Sequence, residues 1–367
     1  MDRAGGISVG IAVGWNIAIL GPIATQLSHV YGVSLTTIGL FVTVQFVVHL
    51  VMQIPGGRAA DRFGARRTAL LGLAFIAGGN ALSLIAPEPA LAFLGRAIVG
   101  LGTGFAFVSG SDYIRARGGT PFVQGLYGGG SVLAPGAAVA VVPQLESWLG
   151  WRSAYLSAVV VSGVSALLLA SAAPAARTIR HAGERLDRGF FRDRRLDRFA
   201  VIHAMSFGFS VVLGNWVVTL LEHHGYSKSF AALAGSLTLL PGFLTRAAGG
   251  LLLRRDDASR WVALSFVLSG AGAIVLTLSL PLAVLAVVAA LVGLAAGVPF
   301  AMAFTGAAAA RPDAPGAAVG FVNGCASLVI VAGTPLVGLT FSLPGDGRIG
   351  FVALGVLAAL AALATPR

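Results

Sequence analysis

Apolar runs of about 20 residues, the length needed to cross a hydrocarbon core, recur along the chain. They lie near 7–27, 35–55, 68–86, 90–112, 121–142 and 152–172, and again near 199–221, 228–252, 260–280, 282–308, 315–342 and 347–365. A polar segment, 173–198, separates the two sets and carries eight arginines and four acids, Glu184, Asp187, Asp193 and Asp197. The pattern predicts an all-α membrane protein of twelve transmembrane helices: a six-helix half over 1–172, a cytoplasmic basic linker over 173–198 and a second six-helix half over 199–367. The first run has no small-residue cleavage site behind it and leads into a second span, so it is expected to remain as an uncleaved helix.

Composition agrees with this pattern. Of the 367 residues 56% are hydrophobic and 11% charged, and a soluble chain of that length would need far more charge to cover its surface. The 50 glycines fall inside apolar runs rather than polar tracts. A single cysteine, Cys325, rules out a disulfide framework and a multi-cysteine metal site. The net charge of +11 raises the question of nucleic acid, and the placement of the charges answers it. With the N-terminus in the cytoplasm, twenty basic residues fall in inside segments and three (Arg152, Lys228, Arg348) outside. That asymmetry follows the positive-inside rule, puts both termini in the cytoplasm and makes the basicity topological. No metal cluster, phosphate loop or nucleophile motif is present, so neither an enzyme, a cofactor nor ATP drive is expected.

A shift of 193 residues brings the halves into register. Leu20-Gly21 falls on Leu213-Gly214, Gly32 on Gly225, Gly56-Gly57 on Gly249-Gly250, Val99-Gly100-Leu101 on Val292-Gly293-Leu294, Gly104 on Gly297 and Phe107 on Phe300. One offset holding across four spans points to two pseudo-symmetric bundles, the build of transporters that rock around a midplane site.

Four segments stand out. Behind the second span stands Gly57-Arg58-Ala59-Ala60-Asp61-Arg62-Phe63-Gly64-Ala65-Arg66-Arg67. Here Gly57 is expected to let a neighbouring helix approach, Gly64 to permit a tight turn, and Asp61 to accept from helix-terminal N–H groups and guanidinium groups. In the second half Arg254 stands where Asp61 maps. Span four holds Gly95-Arg96 followed by Gly100, Gly102 and Gly104, and span five holds Gly130-Ser131-Val132-Leu133-Ala134-Pro135-Gly136. Gly150-Trp151-Arg152 and Tyr155 open span six.

These segments resemble the signatures of the major facilitator superfamily, twelve-span type, and the resemblance covers essentially the whole chain. It implies a secondary active transporter that moves a small organic solute by rocker-switch alternating access, with Asp61, Arg62 and Arg66 latching a cytoplasmic gate. Ala134 and Ala138 stand where the family's antiporter signature has glycine. The Arg- and Ala-rich composition suggests a high-GC bacterium, hence a multi-pass protein of the cytoplasmic membrane with the lipid bilayer and a small-molecule substrate as its partners. A monomer is expected. Efflux of lipophilic compounds is the leading reading and import of a small anion the second. A non-transporting receptor or scaffold comes third, and unaltered solute flux in Asp61→Asn would support it.

The resemblance also implies that spans one, four, seven and ten line the cavity. Their polar and aromatic residues, with Arg246 of span eight added, make Asn16, Arg96, Asn215, Trp216, Arg246 and Thr305 the candidates for substrate or coupling contacts. Gln26, Phe105, Phe107, Ser109, His203, Ser206, Ser210, Phe300 and Phe304 stand on the same spans. A charge inside a span is a functional hypothesis by default. Arg96 and Arg246 are the two such charges, and guanidinium groups suit planar anions. Arg96 lies towards the outer end of its span, so snorkelling to the interface is its alternative. Arg246 occupies the position of Gln53 and has gate anchoring as its alternative. Trp216 either stacks on substrate or packs, and His203 is expected at the interface. None of the fourteen acids falls at a predicted midplane, so coupling to a proton rests on no obvious residue.

Overall fold

The computed structural model describes residues 2–118, 121–174, 192–252, 255–311 and 315–366. Among them every regular element is helical. A backbone surrounded by lipid tails must satisfy its own N–H and C=O groups, and a helix does so within one segment. Among the described residues eight helices are long and apolar enough to cross a membrane, with a shorter apolar helix over Arg348–Ala364. Val51, Leu167, Leu291 and Leu336 stand mostly exposed on helix faces, where lipid can cover them. The chain divides into two compact units, Met1–His181 and Ala182–Arg367.

In the first unit the predicted first span is interrupted. Helix α1 (Asp2–Trp15) stops at an irregular stretch over 16–20, a 3-10 turn follows at Gly21–Ile23, and α2 (Ala24–Tyr31) completes the span. Helix α3 (Leu35–Phe63) is capped by Ser34, whose hydroxyl accepts from the Thr37 N–H at 3.2 Å. It ends at Gly64, whose φ of +92° lets the chain turn directly into α4 (Ala65–Ser83), as expected. Helices α5 (Pro89–Ala116), α6 (Pro121–Leu149) and α7 (Arg152–Ala170) complete the unit. Pro135 lies inside α6 and is buried with Gly136, while Gly14 of α1 sits against the Ser131 backbone.

The second unit carries more breaks. Helix α8 (Arg194–His203) passes through a π turn at Ala204–Gly208 into α9 (Phe209–His223). Its N-cap is Asp193, which accepts from the Arg195 N–H at 2.9 Å. The seventh helix therefore starts inside the predicted linker, and residues 175–191 of that linker lie outside the described residues. Helices α10 (Lys228–Ser236) and α11 (Gly242–Leu252) are separated by turns ending near Pro241, and α13 (Leu282–Gly297) and α14 (Phe300–Ala310) by Pro299. Helices α12 (Ala258–Val275), α15 (Pro315–Thr340) and α16 (Arg348–Leu360) make up the rest. Arg254 lies outside the described residues.

Glycines set the helix spacing. A Cβ on Gly100 would stand 2.6 Å from the Gln45 carbonyl oxygen, and one on Gly104 2.9 Å from that of His49, so this face of α5 lies on the backbone of α3. Gly95 and Gly102 face the other way, each 2.5 Å from a carbonyl oxygen of α4, those of Gly79 and Gly72. The second unit repeats the arrangement at the predicted offset. Gly293 meets the Leu237 carbonyl, and Gly297 would place a Cβ 2.6 Å from the Gly242 oxygen, the counterpart of His49. Lipid tails are as apolar as leucine, so this close van der Waals contact is what draws the spans together.

The expectation for Gly57 needs correcting by one residue. A Cβ on Gly57 would meet only Val108 at an ordinary 3.7 Å, whereas one on Gly56 would stand 3.1 Å from the Gly104 oxygen and the Phe105 Cα. Successive helix residues point about 100° apart, so the interface falls on Gly56. Within the unit Arg66 turns to the C-terminal end of α7, its Nε donating to the Leu169 carbonyl at 3.0 Å and an Nη to that of Ala170. This sets a cation against the C-terminal carbonyls of a helix, the end its dipole favours. Arg62 lies over the neighbouring Phe63 ring at 5.2 Å, Arg67 is exposed, and the Asp61 side chain lies outside the described ones.

Gly104→Val is expected to destabilise the protein by about 1–3 kcal/mol, because backbone cannot yield as a side-chain end can. Gly57→Ala should change stability by less than about 0.5 kcal/mol. Thermal unfolding in detergent measures both, and equal midpoints for the two variants would contradict the assignment.

Candidate functional site

In the second unit five interacting side chains gather beside the π turn. Arg246 of α11 lays its guanidinium 4.8 Å from the Phe300 ring centroid and 5.5 Å from that of Phe207. Phe300 and Phe304 lie 4.6 Å apart. The His203 ring stacks on Phe207 at 5.7 Å and meets Phe304 edge-on at 4.7 Å. The π turn contributes directly, since its extra residue reorients the helix between His203 and Phe207, and such turns are frequent at functional sites. The breaks at 237–241 and Pro299 flank the segments that carry Arg246 and Phe300.

Hydrogen bonding leaves this cluster incomplete. His203 Nε2 lies 3.3 Å from Asn323 Oδ1, an acceptor, so Nε2 carries the proton and Nδ1 is left a buried acceptor without a partner. Arg246 Nε is a buried donor without a partner, and no acid among the described residues pairs with its guanidinium. Each aromatic face offers a cation about 0.5–2 kcal/mol. Removing a charge from water costs several kcal/mol, so the rings alone leave Arg246 undercompensated. His203 itself is 1% exposed and ringed by aromatics.

Arg96 has a different environment, in the first unit. It is 1% exposed, which overturns snorkelling. Its Nη2 donates to the Asn16 carbonyl at 2.9 Å, at the break after α1. The Asn16 side chain donates to the Ala12 carbonyl at 2.9 Å and accepts from Asn80 Nδ2 at 2.8 Å. Arg96 thus holds a carbonyl that the interrupted helix cannot satisfy, while its Nε and Nη1 remain buried donors without a partner.

The other candidates divide. Trp216 is buried, donates Nε1–H to the Thr334 carbonyl at 2.8 Å and lies 5.4 Å from Phe341, which makes it a packing residue of the second unit. Asn215 is buried and donates to the Val211 carbonyl at 3.0 Å, with Oδ1 unpartnered. Thr305 is exposed, its hydroxyl donating to the Ala301 carbonyl at 2.7 Å. Neither contacts the aromatic cluster in any of these interactions. Sequence reasoning missed Phe207 and Asn323, and in the first unit His49, which sits 3.1 Å from Thr103 Oγ1 and 3.0 Å from Gln53 Nε2. A signal was available: Gln45, His49 and Gln53 recur at four-residue spacing and mark one polar helix face.

A family model described as the Major Facilitator Superfamily matches residues 7–209. No curated protein matches the sequence. Among solved structures the chain is similar to a mutant of the nucleoside transporter NupG, with a TM-score of 0.78 at 14% identity over 99% of this chain and 98% of that one. It is likewise similar to the crystal structure titled nucleoside transporter NupG, with a TM-score of 0.75 at 13% identity and the same coverage. At these identities the likeness is one of fold.

Arg96→Leu leaves the Asn16 carbonyl buried without a donor and should destabilise the protein by about 1–3 kcal/mol. Arg96→Gln, which can still donate there without burying a charge, should retain most of that stability. Thermal unfolding of both variants checks this, and indistinguishable midpoints would remove the bracing role.

Proposed function

The chain belongs to the Major Facilitator Superfamily, and on that premise we propose that it carries a planar organic anion bound by Arg246 between aromatic rings. It is a membrane transporter, not an enzyme. The observation that supports this substrate class is the undercompensated guanidinium. Arg246 is partly exposed, faces Phe207 and Phe300, and keeps a free Nε–H with no acid beside it among the described residues. A carboxylate or sulfonate can take charge-assisted hydrogen bonds from that group, while an aromatic body attached to it stacks on the phenylalanines. Interrupted helices around a polar group in mid-span are what a transporter site requires.

Placement in a bacterial cytoplasmic membrane with both termini inside is supported by the arginine asymmetry. Alternating access between two halves is supported by the internal repeat. Efflux of lipophilic compounds is the second reading, because the same phenylalanines suit an apolar body. One solved structure of similar fold is described as a nucleoside transporter, which makes a neutral planar solute the third probe.

The test is thermal shift of the purified protein with benzoate, uridine and tetraphenylphosphonium, since a ligand of the folded state raises the midpoint by mass action. Benzoate is expected to stabilise the wild type, and Arg246→Gln to weaken its apparent affinity by about 30-fold or more, the loss of one charge-assisted pair. Stabilisation by tetraphenylphosphonium that is insensitive to Arg246, with none by benzoate, would replace the anion reading with lipophilic efflux.

A further inference from the structure

The hydrogen bonds around His49 determine which of its nitrogens carries the proton. Gln53 Nε2 is a donor only, so His49 Nε2, 3.0 Å away, is the acceptor and is unprotonated. Thr103 donates its single hydroxyl proton to the Gly100 carbonyl at 3.2 Å. Its oxygen, 3.1 Å from His49 Nδ1, is then free to accept, and Nδ1–H is the donor. In this arrangement both ring nitrogens have neutral partners.

A proton arriving at Nε2 would set N–H against N–H. Turning the Gln53 amide by half a revolution about its last side-chain bond replaces the donor with Oε1, an acceptor, and restores the hydrogen bond. Ring and amide therefore form a pair with two complementary states, one neutral and one protonated. The ring is half-buried.

Charges nearby do not fix the ring in either state. In the first unit α5, α4 and α2 pack on α3. On α5, Arg96 and Asp112 stand seven residues before and nine after Thr103, about 10 and 13 Å along the helix. Arg66 and Arg67 open α4 beside Gly64, and His29 and Tyr31 lie on α2 before α3 begins. On α3 itself Arg58, Asp61 and Arg62 lie nine or more residues beyond His49. The Tyr127 hydroxyl of α6 donates to the Phe107 carbonyl at 2.6 Å, and the Phe107 ring lies 6.1 Å from His49. Among the described residues none of these groups hydrogen-bonds or ion-pairs with the imidazole.

We propose that His49 is the proton-binding site of this transporter and that the Gln53 amide relays its occupancy. Gln53 stands one turn before the Gly56 contact with α5 and, under the 193-residue offset, at the position of Arg246. The proton and the proposed anion would thus be read by equivalent positions of the two halves. This last link rests on the planar-anion reading; the proton site itself does not.

The first test needs no solute. Nitrogen-15 spectra of the full-length protein in detergent, labelled at histidine and glutamine and assigned with His49→Gln and Gln53→Leu, report the tautomer and the amide directly. The neutral Nδ1–H form is expected at neutral pH, and acidification should convert it to imidazolium while the Gln53 amide resonance shifts in step. An Nε2–H tautomer, a ring unchanged wherever the protein stays folded, or an amide that ignores the ring would each overturn the proposal.

The second test uses proteoliposomes and labelled benzenesulfonate, an anion that does not cross bilayers as a neutral acid. In His49→Gln, accumulation driven by a pH gradient should fall by about ten-fold or more while solute counterflow persists. Gradient-driven accumulation at the wild-type level in this variant would refute coupling through His49. Benzenesulfonate carried by neither protein would count against the anion reading alone, leaving the spectra to decide the proton site.

Discussion

Contact between helix backbones at glycine is the constraint on which the other features depend. In hydrocarbon no water is released when two apolar helices meet, so the spans are held by dispersion and by how closely their backbones approach. Gly100 and Gly104 bring α5 onto α3 at the carbonyls of Gln45 and His49, and Gly297 meets the equivalent carbonyl, that of Gly242. Those contacts also place chemistry. The approach that seats Gly104 on the His49 backbone brings Thr103 within reach of the His49 ring, and Gly297 lies three residues before Phe300, whose ring faces Arg246.

The two arginines within spans show how local backbone decides the fate of a charge. Both stand within apolar spans of a chain with few acids. Arg96 meets a break in the first span and satisfies a carbonyl released by it. Arg246 meets aromatic faces, which attract a cation without accepting its hydrogen bonds. Neither is fully satisfied: Arg96 keeps its Nε and Nη1, and Arg246 its Nε, as buried donors without a partner.

Interrupted helices recur where these groups lie. The stretch at 16–20, the π turn at Ala204–Gly208, the turns at 237–241 and the Pro299 break each release or redirect backbone near a polar or aromatic cluster. Irregular backbone is tolerated at membrane depth only where protein or a water-filled cavity can satisfy it.

Much of this was legible in the residues alone. Apolar runs located the helices, the 193-residue offset located the equivalent glycine contacts, and Gly64 announced the sharp turn between α3 and α4. These features depend on composition and spacing along one segment, which a linear sequence records. Tertiary structure alone decided the rest. It moved the close approach from Gly57 to Gly56, drew Arg96 inward to Asn16, buried His203 among aromatic rings, satisfied Trp216 through Thr334 and joined His49 to Thr103 from another helix. Each of those outcomes depends on which way a side chain points and on which partner from a distant segment meets it. Helix phase and close packing set both, and neither is written at the residue itself.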